Sequence, residues 1–401
     1  MLVSPTGRAA TSDRLKVLTV FGTRPEAIKV APILRELSKH SDRIRSRVCV
    51  TAQHREMLDQ ILRVFGIVPN LDLDLMRPGQ TPTAVASAVL NALEPILQAE
   101  CPDWVLVQGD TTTTVAAGLA AFYARARLGH IEAGLRTGDR WLPFPEEMNR
   151  RVVTTLADMH FAPTTRARDN LLREAIPAER ILVTGNTCVD AVYAISAMSE
   201  RSEVRELLGS TTGVAPRTIL VTAHRRENFG KPLEQICLAV RDLALRYCGA
   251  IRVVYSVHRN PQVWDPVHRI LGQLPDVALV PPFDYQVSIQ FMQHVYLILT
   301  DSGGIQEEAA CLGKPTLVLR DLTDRPEGVE AGVLRVVGTN RARIVGETVR
   351  LLEDPVAYSQ MRQAGNPFGD GLAASRIVAS LLGEPWNLGD GTASQNVNSL
   401  F

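Results

Sequence analysis

The residues best suited to chemistry fall at the ends of short apolar runs. Residues 296–315, YLILTDSGGIQEEAACLGKP, pass from an apolar run through Asp301-Ser302-Gly303-Gly304 into a segment whose Ile305, Ala309, Ala310 and Leu312 keep helical spacing. Strand, glycine turn and helix in that order suit a nucleotide diphosphate. Glycines let the backbone approach it closely, and the first-turn amides at the positive end of the helix dipole attract it. Glu308 falls about one turn beyond Gly304, within reach of a ribose hydroxyl. Residues 17–37 repeat the order, with Gly22-Thr23 at the break, Pro25 in the first helical turn, and Arg24 and Lys29 supplying positive charge. That predicts a second nucleotide-type turn and a cleft between two domains.

Other strand ends carry similar clusters. In the first half they are Gln53 with His54, Asp110 with the threonines that follow it, Glu132 with Arg136, and a loop bearing Glu146, Glu147 and Arg150. In the second half they are His224-Arg225-Arg226-Glu227, His258-Arg259-Asn260, and Arg320 with Arg325. Each has an ordinary explanation by itself: Asp110 and Thr111 are good helix caps, and Glu146 beside Pro145 suits a helix N-terminus. Their recurrence at one edge is what points to a site, because open α/β sheets bind ligands beyond the carboxyl ends of their strands.

The elements that must position these groups alternate regularly. RVCVTA, DWVLVQG, LGHIEAG, HFAP and RILVTG read as strands, each followed by a segment of helical periodicity, and the pattern restarts at TILVTAH after a polar seam around Gly209 and Pro216. This predicts an α/β fold of two Rossmann-like, doubly wound parallel-sheet domains. The expected division is 1–186, with a C-terminal helix at 366–384 packing back on it, and 187–365 as the nucleotide-diphosphate-binding domain, with 385–401 a flexible tail. A chain of 401 residues exceeds what one core usually supports, in keeping with two.

Lysine plus arginine and aspartate plus glutamate both total 43, so nothing attracts nucleic acid or an anionic membrane surface. Six cysteines without C-x-x-C spacing read as free thiols, not disulfides or a metal centre. No apolar run is long enough to span a membrane and the first residues lack a secretory apolar core, which predicts a cytoplasmic protein.

Together FGTRPEAIK, TAQHREMLDQ, GDTTTT, HIEAGLRTG, PEEMNR, AHRREN, VHRNP, LTDSGGIQEEA, RPEGVEAG and NPFGDG resemble the bacterial non-hydrolysing UDP-N-acetylglucosamine 2-epimerases over residues 16–382. The resemblance implies two Rossmann domains in the GT-B arrangement, a homodimer, and interconversion of UDP-GlcNAc with UDP-ManNAc without cofactor or metal. It also implies a route. The C2 proton is not adjacent to a carbonyl and is too weakly acidic for simple exchange, so UDP leaves C1 as a base takes that proton, and returns to the resulting 2-acetamidoglucal. By resemblance Asp110, Glu132 and Glu146 are the acid/base carboxylates and His224 stands near the diphosphate. The three acids are not divided between the two sugar faces. Arg24, Ser302, Gly303 and Gly304 correspond to phosphate contacts, Glu308 to the ribose contact, and Lys29, His258 and Arg325 to further groups lining the site. Three acids packed together should raise at least one pKa. Some members are activated by UDP-GlcNAc at a neighbouring site, which Gln53 matches, although Gly79 stands where such members carry arginine.

The chain departs from the family at Gln108, Ser256 and Ser288. The last stands where many members place a phenylalanine beside the uracil, leaving Phe283 or Tyr285 to substitute. Two rival classes share part of this reading: a GT-B glycosyltransferase using a UDP-sugar donor, and a non-catalytic nucleotide-sugar sensor. GTRPEAIK with PEEMNR speaks against the first, and the full carboxylate set against the second. A dehydrogenase is excluded because the single G-x-G-x-x-A match, at Gly369, follows no apolar strand.

Overall fold

Apolar runs such as WVLVQ and LILT are buried along their whole length, which suits strands covered on both faces. The computed structural model of the protein describes residues 14–52, 55–75, 77, 79–209, 216–388 and 392–395. These divide into two units, one of residues 14–187 with the chain from 371 onward, the other of residues 188–370. Each unit is a Rossmann-like, doubly wound α/β sheet.

The first unit holds β1 (Leu15–Phe21), β2 (Ile44–Val50), β3 (Leu71–Asp72), β4 (Trp104–Gln108), β5 (Arg127–Ile131), β6 (Met159–Ala162) and β7 (Ile181–Val183). All are parallel, in the order β3-β2-β1-β4-β5-β6-β7. Their core joins Leu18, Val20, Val105 and Val107 to Val89, Leu93 and Ala117 from the covering helices, each at most 1% exposed. Every such aliphatic side chain withdrawn from water contributes roughly 1.5–3 kcal/mol before chain entropy is counted. Helix Ala373–Leu381 packs on helix Arg24–Lys39, and Arg376 donates to the Thr184 carbonyl at 3.0 Å.

The second unit holds β8 (Arg217–Thr222), β9 (Ile251–Ser256), β10 (Val277–Val280), β11 (Leu297–Thr300), β12 (Thr316–Val318) and β13 (Leu334–Val336), again parallel, in the order β10-β9-β8-β11-β12-β13. Strand order reverses beside the first strand of each sheet, which leaves a crevice at the carboxyl ends of β1 and β4 in one unit and of β8 and β11 in the other.

Three observed elements are ones the sequence pattern did not name. YQVSIQF alternates Tyr285, Val287, Ile289 and Phe291 as a strand would, yet it lies in helix Tyr285–His294, started by Asp284, whose side chain accepts the Val287 amide at 2.8 Å. Helix Thr187–Ser196 follows β7, ahead of the polar seam around Gly209 and Pro216. Within 385–401, Trp386–Leu388 and Thr392–Gln395 pair antiparallel, and residues 389–391 and 396–401 lie outside the described residues. All six cysteines are free. Among the described residues no helix is long and apolar enough to cross a membrane, and no cluster of His, Cys, Asp or Glu could hold a metal.

Candidate functional site

In the first unit, the expected acids follow neighbouring strands. Gln108 of β4 is in register with Ile131 of β5, so Asp110 and Glu132 leave the same edge of the sheet. Asp110 stands just before helix Thr112–Tyr123, which Thr111 caps by accepting the Thr114 amide. Its carboxylate takes Arg150 Nε at 2.8 Å and Nη2 at 2.6 Å, and its carbonyl takes Asn149 Nδ2 at 2.8 Å. Glu132 has φ +64°, a left-handed conformation that is strained for a residue with a side chain and is common at functional positions. Its half-buried carboxylate pairs with Lys29. Glu146 opens helix Glu146–Leu156, and its Oε2 is buried without a hydrogen bond.

Lys29 pairs with Glu132 and Arg150 with Asp110, so each of these carboxylates has a cation for a neighbour. Next to them the Glu26 carboxyl is pushed up by complete burial, which outweighs its hydrogen bonds to Thr111, Thr23 and Gly22. Glu147 is also fully buried but structural in its contacts: it accepts the Thr137 and Gly138 amides at 3.0 and 3.3 Å and pairs with Arg150 at 3.1 Å.

At the Gly22-Thr23 turn two amides already have an acceptor within the chain. Glu26 Oε2 accepts the amides of Gly22 at 3.0 Å and Thr23 at 2.7 Å, so the anion at this helix end is part of the chain. Its Oε1 accepts the Thr111 and Thr114 hydroxyls at 2.7 and 3.2 Å, tying the β1 turn to the β4 turn next to Asp110. The sequence held the signal, because Thr23 and Glu26 have the T-x-x-E spacing of a capping box. Arg24 is the first residue of the helix and remains partly exposed beside these groups.

Behind the acids, His130 and His160 face each other across β5 and β6 and are fully buried. Burial holds His130 down to about 4 and His160 down to about 3. His130 Nε2 lies 2.8 Å from the Gly109 carbonyl, which can only accept, so the ring is neutral with its proton on Nε2.

In the second unit the groups gather around helix Gly303–Cys311. Ser302 precedes it, and Gly304 and Glu308 lie on one side of its first turn, where an added Cβ on Gly304 would sit 4.0 Å from Glu308 Oε1. First-turn amides have no partner within their own helix. An added Cβ on Gly303 would meet Arg225 Nη2 and both Asp324 oxygens at 3.5 Å, so a glycine here keeps the approach open. Arg320 pairs with Asp324 at 3.1 Å and Glu227 at 2.6 Å, and Arg325 with Glu307 at 2.5 Å and Asp324 at 3.4 Å. Burial alone would push the Asp324 carboxyl up, but Arg325, Arg225 and Arg320 together hold it down to about 2. His224, beyond β8, stacks on His258, beyond β9, with ring centroids 5.5 Å apart and planes 15° from parallel.

Helix-end amides beside three guanidiniums suit a diphosphate, and oriented carboxylates beside a lysine suit proton transfer. Tyr285 cannot serve as a base-stacking residue, since its ring is 2% exposed, whereas Phe283 keeps partial exposure while packing on Phe291. Gln53 and His54 lie outside the described residues.

The family model for UDP-N-acetylglucosamine 2-epimerase matches residues 35–382. The chain is 52% identical over 371 residues to UDP-N-acetylglucosamine 2-epimerase of Yersinia pestis, which covers 92% of this chain and 98% of that one. It resembles the crystal structure of UDP-GlcNAc 2-epimerase from Neisseria meningitidis bound to UDP-GlcNAc, at 45% identity and a TM-score of 0.84 over 92% of this chain and all of the other. The Methanocaldococcus jannaschii enzyme in complex with UDP-GlcNAc and UDP matches at 33% identity and a TM-score of 0.77, over 92% and 99% of the two chains.

Proposed function

Since the chain belongs to the UDP-N-acetylglucosamine 2-epimerase family, we propose that it reversibly epimerises UDP-GlcNAc to UDP-ManNAc at C2. The observation that carries this reading is that acids cluster at the strand ends of one unit while an arginine-flanked glycine helix end occupies the same edge of the other. In the first half-reaction a carboxylate takes the C2 proton, the C1–O bond breaks, and its electrons leave with UDP as the C1–C2 double bond of a 2-acetamidoglucal forms. In the second, UDP adds back to C1 and a proton reaches C2 from the opposite face. Neither half changes oxidation state, so no redox cofactor is required.

Asp110, Glu132 and Glu146 are the proton-transfer groups in this reading. Lys29 supports this by pairing with Glu132 and orienting it. Ser302, Gly303, Gly304 and Arg325, with Arg24, bind the pyrophosphate, Glu308 the ribose, and His224 and His258 the growing negative charge on the departing phosphate. Residues 1–186 with 366–384 then form the proton-transfer domain and 187–365 the UDP domain. The protein works as a cytoplasmic homodimer that supplies an N-acetylmannosamine donor for cell-surface polysaccharide, with Gln53 part of a regulatory UDP-GlcNAc site.

The test is incubation with UDP-GlcNAc alone, followed by anomeric proton NMR. The reading predicts UDP-ManNAc at an equilibrium reached from either sugar. No conversion by folded protein, or sugar transfer only when an acceptor is added, would replace the epimerase with the glycosyltransferase reading.

A further inference from the structure

Asp301 ends β11 and His224 lies just past β8, and these two strands are paired through Thr300 and Thr222 at the switch point of the second sheet. The Asp301 carboxylate is fully buried, yet its two oxygens are used unequally. Oδ2 accepts the His224 amide at 2.9 Å, the Arg225 amide at 2.8 Å and Asn228 Nδ2 at 2.9 Å. Those three donors pin the group. Oδ1 is buried with no hydrogen bond, and His224 Nδ1 lies 3.7 Å from it. A buried carboxylate oxygen without a donor is costly, and a small ring movement of His224 would satisfy it.

We propose that Asp301 is the positioning carboxylate of His224, its Oδ1 accepting a hydrogen bond from Nδ1–H and so leaving Nε2 to meet the diphosphate. This rests on the reading of the site as one that turns over a UDP-sugar. Three charged or titratable groups face the ring: Asp301, His258 and Arg225. Partial burial, His258 and Arg225 disfavour the imidazolium and hold the His224 pKa below its ordinary value, while Asp301 opposes them. His224 is therefore neutral before substrate binds, and negative charge growing on the departing phosphate favours uptake of a solvent proton at Nε2, with Nδ1–H kept on Asp301. The stack with His258 keeps the ring in one plane, so the Asp301 contact decides which nitrogen faces outward.

Asp301→Asn makes this testable. The three donors at the Oδ2 position will hold the Asn oxygen there, which places its NH₂ where Oδ1 was. That group donates, so it forces Nδ1 of His224 to accept and moves the ring proton to Nε2. Tautomer and titration can be read in the full-length protein by ¹⁵N-histidine NMR, with the His224 signal assigned by its loss in His224→Gln. Wild-type His224 is expected as the Nδ1–H tautomer, with a titration midpoint that rises on adding UDP. In Asp301→Asn the tautomer switches and the midpoint falls by about one unit or more. In the same variant kcat drops roughly 100-fold while KM moves less than about threefold, since the contact strengthens only as charge develops.

An Nε2–H tautomer in the wild type would overturn the proposal even if the variant failed to fold. So would an unchanged tautomer and midpoint in folded Asp301→Asn. Absence of epimerisation by the wild type would instead remove the functional reading, and the tautomer would still decide for or against the Asp301–His224 pair.

Discussion

His160→Leu should weaken the dependence of stability on acid. His130 and His160 are buried and neutral, held down to about 4 and about 3 against an ordinary 6.5, by burial first and, for His160, by the nearby His130, Arg180 and Arg136. Between pH 7 and pH 5 each histidine takes up a proton in the unfolded chain and almost none in the folded one. Stability therefore falls as pH falls, with the loss beginning near 6.5 and continuing until the folded groups themselves titrate near 4 and 3. The linkage relation gives a loss of about 2 kcal/mol per histidine over those two pH units, or about 4 kcal/mol for the pair. Leucine nearly matches histidine in volume and cannot titrate, so the variant should lose about 2 kcal/mol less than the wild type over that interval. Glu26, raised by burial, has the opposite sign, but it is common to both proteins and drops out of the comparison. Urea unfolding at pH 7 and pH 5, read by hydrogen exchange of β5 and β6 amides, reports this unit alone. Equal losses in the two proteins would show that His160 is not buried as a neutral base.

Asp110→Asn, Glu132→Gln and Glu146→Gln should each reduce kcat by roughly 100-fold or more while UDP affinity by calorimetry stays within about threefold. Normal rates in all three would remove them from proton transfer. Gly134→Ala should lose at least about 3 kcal/mol, because a Cβ there would lie 2.2 Å from the Ala167 carbonyl oxygen at φ +90°; an unchanged melting temperature would refute the packing. Glu26→Leu removes the acceptor of the Gly22 and Thr23 amides and of the Thr111 hydroxyl, at a cost of roughly 3 kcal/mol or more, and thermal melting reads that directly.

The fold was legible because its strands are short apolar runs separated by helical periodicity, and that pattern depends on neighbours a few residues apart. The site was legible as a set of residue types, less so as a set of partners. Lys29 meets Glu132 across 103 positions and Arg150 meets Asp110 across 40, and no local spacing reports such pairings. At Gly22-Thr23 the local pattern of a phosphate turn was present, but Glu26 had already taken its amides. Tyr285 and its alternating neighbours carried a strand period that the Asp284 cap and tertiary packing overrode. The left-handed backbone at Glu132 has no signature in composition, since glycine is the usual marker of that conformation and none is present at that position.

The account depends on the C2–H bond being broken while UDP is held. Wild-type protein incubated with UDP-GlcNAc in D₂O and followed by proton NMR tests that step most directly. The account predicts UDP-ManNAc carrying deuterium at C2, with exchange into the remaining UDP-GlcNAc as the reaction reverses. UDP-ManNAc formed with its C2 proton fully retained would contradict it.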